Sequence, residues 1–167
     1  PSTVMPTGQG LSVFNTADEY KWKYLLTVTP SDATRFLTSN HIPVRENALV
    51  TAAAVPGTID YINVTEPGVA YTSATVVIEG DGTGAIATAE IVGGQIQKIV
   101  MVETGTGYTY ATAQITGNGF GAELQPYLPP VLGHGSNVSL ELGVYTVLIG
   151  NLFEPNLTNF PTANDYR

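Results

Sequence analysis

Apolar and polar residues alternate with a period of two along several short stretches of this chain and rarely recur with the helical period. Ala74, Val76 and Ile78 alternate with Thr75 and Val77, and Ala111, Ala113 and Ile115 alternate with Thr112 and Gln114. That period buries one face of a strand. Both stretches belong to a longer repeat. Residues 59–91 align on 96–128 at an offset of 37, with 13 of 33 positions identical. Among the identities are Ile59/Ile96, Ile62/Ile99, Tyr71/Tyr108, Ile78/Ile115 and the glycine pairs.

Each copy is expected to form three strands: 59–65, 71–78 and 86–92 in the first, 96–103, 108–115 and a proline-interrupted third (Pro126, Pro129, Pro130) in the second. Gly68, Gly80, Gly82 and Gly84, with Gly105, Gly117, Gly119 and Gly121, are assigned to turns, and Pro67-Gly68 suits the centre of a type II turn. Gly93-Gly94 suits the hairpin turn between copies. Neither copy has enough apolar residues for its own core, so the two are expected to pack face to face, with Tyr71 and Tyr108 in equivalent places.

The flanks have a different texture. In 20–29, Trp22, Tyr24, Leu26 and Val28 alternate with Lys21, Lys23, Leu25 and Thr27, which predicts a strand ended by Pro30. Ser31 is the expected N-cap of a short helix over 32–38, with Asp32 near its positive end and Arg35 further along. Residues 138–153 alternate and predict one long strand, or two broken at Gly143 or Gly150. The predicted architecture is mainly β: a tandem β-repeat lobe over 55–133, flanked by strands of a sandwich-like body over 1–54 and 134–167, with one short helix. Strands 20–29 and 138–153 carry apolar residues on both faces, which makes Trp22, Leu25, Val147 and Ile149 candidate interface positions.

Composition narrows the classes. Of 167 residues only 12% are charged, with 18 glycines and 11 prolines, the profile of short elements and many turns. The net charge of -8 repels nucleic acid and anionic lipid, and no apolar run approaches the roughly 18 residues of a membrane span. Without cysteine there is no disulfide, thiolate metal site or cysteine nucleophile. Pro1 at the start and the loop-like last residues suggest a piece of a longer polypeptide.

Candidate chemistry is sparse. Gly84 and Gly121 lead into a strand rather than a lysine at the head of a helix, so a phosphate cradle is not expected. Glu79 and Asp81 would be calcium ligands in the first copy, but Thr116 and Asn118 replace them in the second, so no metal is expected. His41 and His134 are read as turn residues; Ser136, His134 and Asp165 lack a nucleophile elbow. Glu66 and Glu103 recur before the expected turns and are assigned to accepting backbone N–H groups there rather than to glycoside chemistry. The sequons at Asn63, Asn137 and Asn156 carry no weight without a secretory leader. Tyr71, Tyr108, Tyr110 and Phe120 are candidates for stacking on sugar or, preferably, for packing between the copies. No catalytic residue and no cofactor is predicted.

Asp18-Glu19-Tyr20-Lys21-Trp22-Lys23-Tyr24-Leu25 resembles the Asp-Gly-Tyr-x-Trp-x-Tyr-Leu signature of the baseplate wedge subunit of T-even-like contractile-tailed bacteriophages, with Glu19 where the signature has glycine. Pro30 to Leu37, His41-Ile42-Pro43-Val44, Gly133-His134-Gly135-Ser136, Glu141-Leu142-Gly143 and the glycine repeat are similar to marine members of that group. The resemblance covers most of 18–150. It implies a non-enzymatic virion protein of the tail baseplate, assembled in the host cytoplasm. It further implies a homodimer of the full-length protein and other wedge proteins as partners, with no nucleic acid and no membrane. A carbohydrate-binding or adhesive β-module is the alternative reading.

Overall fold

The structure is a computed structural model that describes residues 2–147. Those residues are 39% strand and 11% helical, a mainly β fold. They divide into two units, 2–26 with 45–144, and 27–44 with 145–147.

The first unit is organised by the repeat. Its strands are β1 (Phe14–Asn15), β2 (Lys21–Trp22), β3 (Tyr61–Val69), β4 (Ala74–Gly80), β5 (Thr83–Val92), β6 (Gln95–Thr106), β7 (Ala111–Gly117) and β8 (Phe120–Tyr127). Apart from the small β1–β2 hairpin, hydrogen bonds join them into three antiparallel ribbons, β3–β8, β4–β7 and β5–β6. Every ribbon takes one strand from each copy. The copies are therefore interlocked strand by strand, rather than two separate units stacked face to face. The ribbons neighbour one another in a closed ring, with β8 beside β7, β4 beside β5 and β6 beside β3.

The pairing register shows a pseudo-two-fold axis. Val77 pairs with Gln114, its own equivalent at the 37-residue offset, so the axis passes through the middle of β4–β7. Each pair of β3–β8 has its image in β5–β6: Glu66↔Glu123 corresponds to Glu103↔Ile86, and Val69↔Phe120 to Thr106↔Thr83. The irregularity that leaves out Thr65 recurs at Val102. A bulge bends its strand and increases the twist. Shared by both long ribbons, with a second irregularity between Glu90 and Ile91 in β5–β6, it lets both curve around one core.

Of the seven buried residues in that core, six are three repeat pairs, Ile59/Ile96, Ile62/Ile99 and Tyr71/Tyr108; Ala113 is the seventh. The tyrosines do occupy equivalent environments, 4% and 6% exposed. Glycines from both copies surround each ring. A Cβ at Gly119 would stand 2.5 Å from Tyr71 Cγ, and one at Gly68 2.7 Å from Tyr71 Cε2. Gly82 and Gly105 approach the Tyr108 ring in the same way, at 2.5 and 2.6 Å. Ring packing over glycines restores contacts that a strand loses where it has no side chain. The backbone N–H of Ala122 donates to Tyr71 Oη at 3.4 Å.

Several turn assignments are corrected here. Gly68 and Gly105 lie inside β3 and β6, not at turns. Both have positive φ, as do Gly121 and Gly84 across their ribbons, so each ribbon continues through a facing glycine pair. Gly80 and Gly117 end β4 and β7, while Gly82 and Gly119 lie in the two-residue links that follow. Pro126 is accommodated within β8 because a two-stranded ribbon leaves one side of each strand without ladder bonds. Gly93-Gly94 forms the expected turn, with φ of 61° and 81° as a type I′ hairpin requires.

Outside the ring, the predicted strand 20–29 reduces to Lys21–Trp22. The start of the predicted strand 138–153 is instead a helical turn, α3 (Val138–Glu141), because Asn137 Oδ1 accepts the N–H of Leu140 at 2.9 Å and Val138 is fully buried. Residues 148–153, Ile149 included, lie outside the described residues. Another unexpected turn, α2 (Ala48–Ala52), is capped by Asn47. Val50 of α2 is also fully buried; Gly135, with φ of 85°, lies against it, and Leu25 lies close to Gly135. No sandwich-like body forms from the flanks among the described residues.

The second unit holds α1 (Pro30–Phe36). Its N-cap is Thr29, not Ser31: Pro30 has the φ of a first helical position, and Thr29 Oγ1 accepts from the N–H of Asp32 at 3.1 Å while donating to Asp32 Oδ2 at 2.8 Å.

Two substitution pairs test the interlocked core by urea unfolding. Gly119→Ala and Gly82→Ala, at positions without positive φ, should each cost at least 1–3 kcal/mol through overpacking of a tyrosine ring. At Ala70 the backbone adopts φ of 64°, which its equivalent Gly107 adopts at 79°. Ala70→Gly should therefore be neutral or stabilising by up to about 1 kcal/mol, and Gly107→Ala destabilising by about the same amount or more.

Candidate functional site

The N-terminal hairpin is built residue by residue from the stretch 15–23. Thr16 N–H donates to the Tyr20 carbonyl at 3.0 Å and Glu19 N–H to the Thr16 carbonyl at 2.9 Å, which closes a tight loop. Glu19 sits at φ of 66°, in the left-handed region that favours glycine. The tight turn therefore forms despite the departure from glycine, and the carboxylate meets Lys98 Nζ at 2.8 Å. That pair is solvent-exposed and screened, so it adds little to stability. Asp18 accepts from the hydroxyls of Ser2 and Thr16 and from the backbone N–H groups of Thr3 and Val4. These bonds, the two hydroxyls foremost, hold its carboxyl well below the usual range. Trp22 Nε1 donates to Thr16 Oγ1 at 3.1 Å, Lys21 Nζ to the Asp60 carbonyl at 2.6 Å, and Lys23 to the Leu11 carbonyl.

Beside this hairpin lies an open groove of about 810 Å³. It runs along the seam where β3 and β6 adjoin, the pair exchanged by the pseudo-two-fold axis. Equivalent positions from the two copies line it: Tyr61 and Lys98, Ile62 and Ile99, Asn63 and Val100. The buried isoleucines are identical in the copies; the rim residues differ. Tyr61 stacks on Tyr127, with centroids 4.6 Å apart and planes at 7°. Burial, then the neighbouring Tyr127 and Asp60, raises the Tyr61 hydroxyl pKa. The hydrogen bond that Lys98 Nζ donates to Glu19 raises the Lys98 pKa.

A polar cluster ties the segment after the ring back to the start of β3. His134 Nδ1 meets Glu141 Oε1 at 2.5 Å and His134 Nε2 meets Asp60 Oδ2 at 2.9 Å, while Gly135 N–H donates to Glu141 Oε2 at 2.7 Å. A neutral imidazole has one N–H, so a carboxylate on each nitrogen demands the imidazolium. Partial burial opposes that charge, but the bonds to Glu141 and Asp60 outweigh it and the pKa is raised. His134 lies in a turn, as expected, and from there acts as a clamp as well. Sequence reasoning missed it because Asp60 lies 74 residues away; the Glu141 at seven residues was the single local signal.

The remaining candidates resolve by position. Asp81 Oδ1 accepts from the backbone N–H of Thr109 (2.8 Å) and of Tyr110 (3.2 Å), and Asn118 Oδ1 accepts from Thr72 and Ser73 at 3.0 and 3.1 Å. The two are repeat equivalents with one role, pinning the other copy, which either an acid or an amide performs. Bonds from the Thr109 side chain and backbone lower the Asp81 pKa to about 2. Glu66 and Glu103 lie exposed within β3 and β6, paired opposite Glu123 and Ile86, and not at turns. Tyr71 and Tyr108 are core; Tyr110 and Phe120 are exposed at separate places. His41 Nδ1 pairs with Thr38 Oγ1. Of the interface candidates, Trp22 and Leu25 are half-buried within the first unit and Val147 is exposed. No group of three or more His, Asp or Glu among the described residues is arranged to hold a metal.

Stability should depend on pH in opposite senses through His134 and through the depressed carboxyls of Asp18 and Asp81. Because the folded pKa of His134 is raised, its contribution is complete below about 6.5 and is lost as pH rises through the folded value. Because that of Asp81 is depressed, its contribution is complete above about 4 and is lost as pH falls toward about 2. Urea midpoints between pH 2 and 9 should show both limbs. His134→Gln should flatten the alkaline one and Asp81→Asn should reduce the acid one, while His41→Ala changes neither.

No family model, curated protein or solved structure matches this chain.

Proposed function

We propose that this chain is a structural component of a phage contractile-tail baseplate, working through protein–protein contacts within the wedge. The observation that carries the reading is the hairpin over 16–22. The residues that resemble the wedge signature are those that close it: Asp18 anchors the N-terminal segment, position 19 takes a conformation suited to the signature's glycine, and Trp22 bonds Thr16. Exposed apolar side chains after the ring, Val131, Leu132 and Leu140 at 91%, 65% and 78%, suit contact with neighbouring subunits. On this reading the interlocked ring is a rigid spacer and the full-length protein is a homodimer. The proposed site of action is the virion.

Gold-labelled antibody raised against the chain tests the proposal on contractile-tailed particles by electron microscopy. Label at the end of the tail distal to the head is the expected result. Label confined to cell surfaces, with none on particles, would instead support the adhesive module. In sedimentation equilibrium the full-length protein should behave as a dimer; a strict monomer at about 100 μM would contradict the assembly role.

A further inference from the structure

The groove between the N-terminal hairpin and the β3–β6 seam has a chemistry that the assembly reading does not use. Its ionic groups are all engaged. Glu19 is paired with Lys98, Asp18 accepts four hydrogen bonds, and Lys21 reaches the Asp60 carbonyl. An ionic ligand would have to break one of these contacts, and a net charge of -8 further disfavours an anion.

What the groove leaves available is of another kind. Asn15, Asn63, Tyr20 and Tyr61 line it, and their side chains have no hydrogen-bond partner among the described residues. Tyr61 lines the groove while stacked on Tyr127, which does not line it. Tyr61 is 44% exposed and Tyr20 45%. Its exposed apolar lining is Val100, 42% exposed, while the side chains of Ile62 and Ile99 lie in the core behind the strands.

A ligand matching this surface is uncharged, has an apolar face to lie on an aromatic ring, and carries adjacent hydroxyls that an amide can both donate to and accept from. Pyranose rings have that combination. The groove volume lies within the usual range for small-ligand sites, and its openness admits a chain of rings rather than one enclosed sugar. We propose that the groove binds a neutral oligosaccharide, with Tyr61 as the stacking platform and Asn63 as the principal hydroxyl-binding group. The site is distinct from the exposed Tyr110 and Phe120 of the repeat. It does not depend on the baseplate reading, since a virion protein and a cell-surface module can each carry it.

The test is titration of the ¹⁵N-labelled protein with maltotriose, cellotriose, chitotriose and, as the anionic probe, sialyllactose, followed by amide chemical shifts. The expected result is a saturable shift of amides in 15–21, 61–63 and 98–101 with at least one neutral trisaccharide, at a dissociation constant of about 0.1–10 mM. Tyr61→Ala and Asn63→Ala should each weaken binding at least about fivefold while the rest of the spectrum is retained, and Tyr110→Ala should leave it unchanged. No saturable shift in those segments with any neutral trisaccharide up to about 50 mM would overturn the proposal. So would shifts centred on Tyr110 and Phe120, tighter binding of sialyllactose than of every neutral probe, or binding indifferent to both Tyr61→Ala and Asn63→Ala.

Discussion

Two tyrosine rings packed over the glycines of a partner repeat hold this molecule's ring of strands together. Tyr71 lies on Gly68 of its own copy and Gly119 of the other; Tyr108 lies on Gly105 and Gly82 in the same relation. Each aromatic side chain thus needs glycine at two places in two copies, and each glycine is useful because a ring occupies the space its side chain would fill. The facing glycine pairs, Gly68 with Gly121 and Gly105 with Gly84, let the ribbons continue at positive φ beneath the rings. The isoleucine pairs fill the rest of the core, and Asp81 and Asn118 pin the loops that carry the tyrosines.

How much of this the sequence conveyed depended on the range of the interaction. The offset of 37, the strand periodicity, the Gly93-Gly94 turn and the equivalence of Tyr71 and Tyr108 all follow from local pattern or self-comparison, and all are present. The pairing partners were not legible, because alternation says that a strand has a buried face and is silent on which strand lies beside it. Pro67-Gly68 carries the chemistry of a type II turn, yet tertiary pairing carries the strand straight through it. Asn47 and Asn137 cap short helices, the second where the alternation of 138–153 predicted a strand; the caps are a local signal that alternation outweighed there. The groove was also invisible, since it joins residues near 18, 62 and 99.

The contrast between core and rim places the molecule's capacity for specificity. Inside the ring the most deeply buried equivalents, Ile59/Ile96, Ile62/Ile99 and Tyr71/Tyr108, are identical. At the seam the backbone is still symmetric, but Tyr61 stands against Lys98 and Asn63 against Val100, and the hairpin over 16–22 covers one side. A symmetric scaffold thus presents an asymmetric surface.

The nesting of the ribbons also dictates an order of events when the chain folds. β5 and β6 are joined by two residues and can close as a hairpin with little loss of chain freedom. That closure brings the ends of β4 and β7 together, and their pairing in turn shortens the effective loop between β3 and β8. Zipping outward from Gly93-Gly94, each step meets a small closure cost, although the outermost strands are far apart in sequence. Either copy made alone would contain three strands with no partner for any of them. The ring consequently cannot begin to close during synthesis until the second copy has started to emerge, and it is complete only when β8 has left the ribosome.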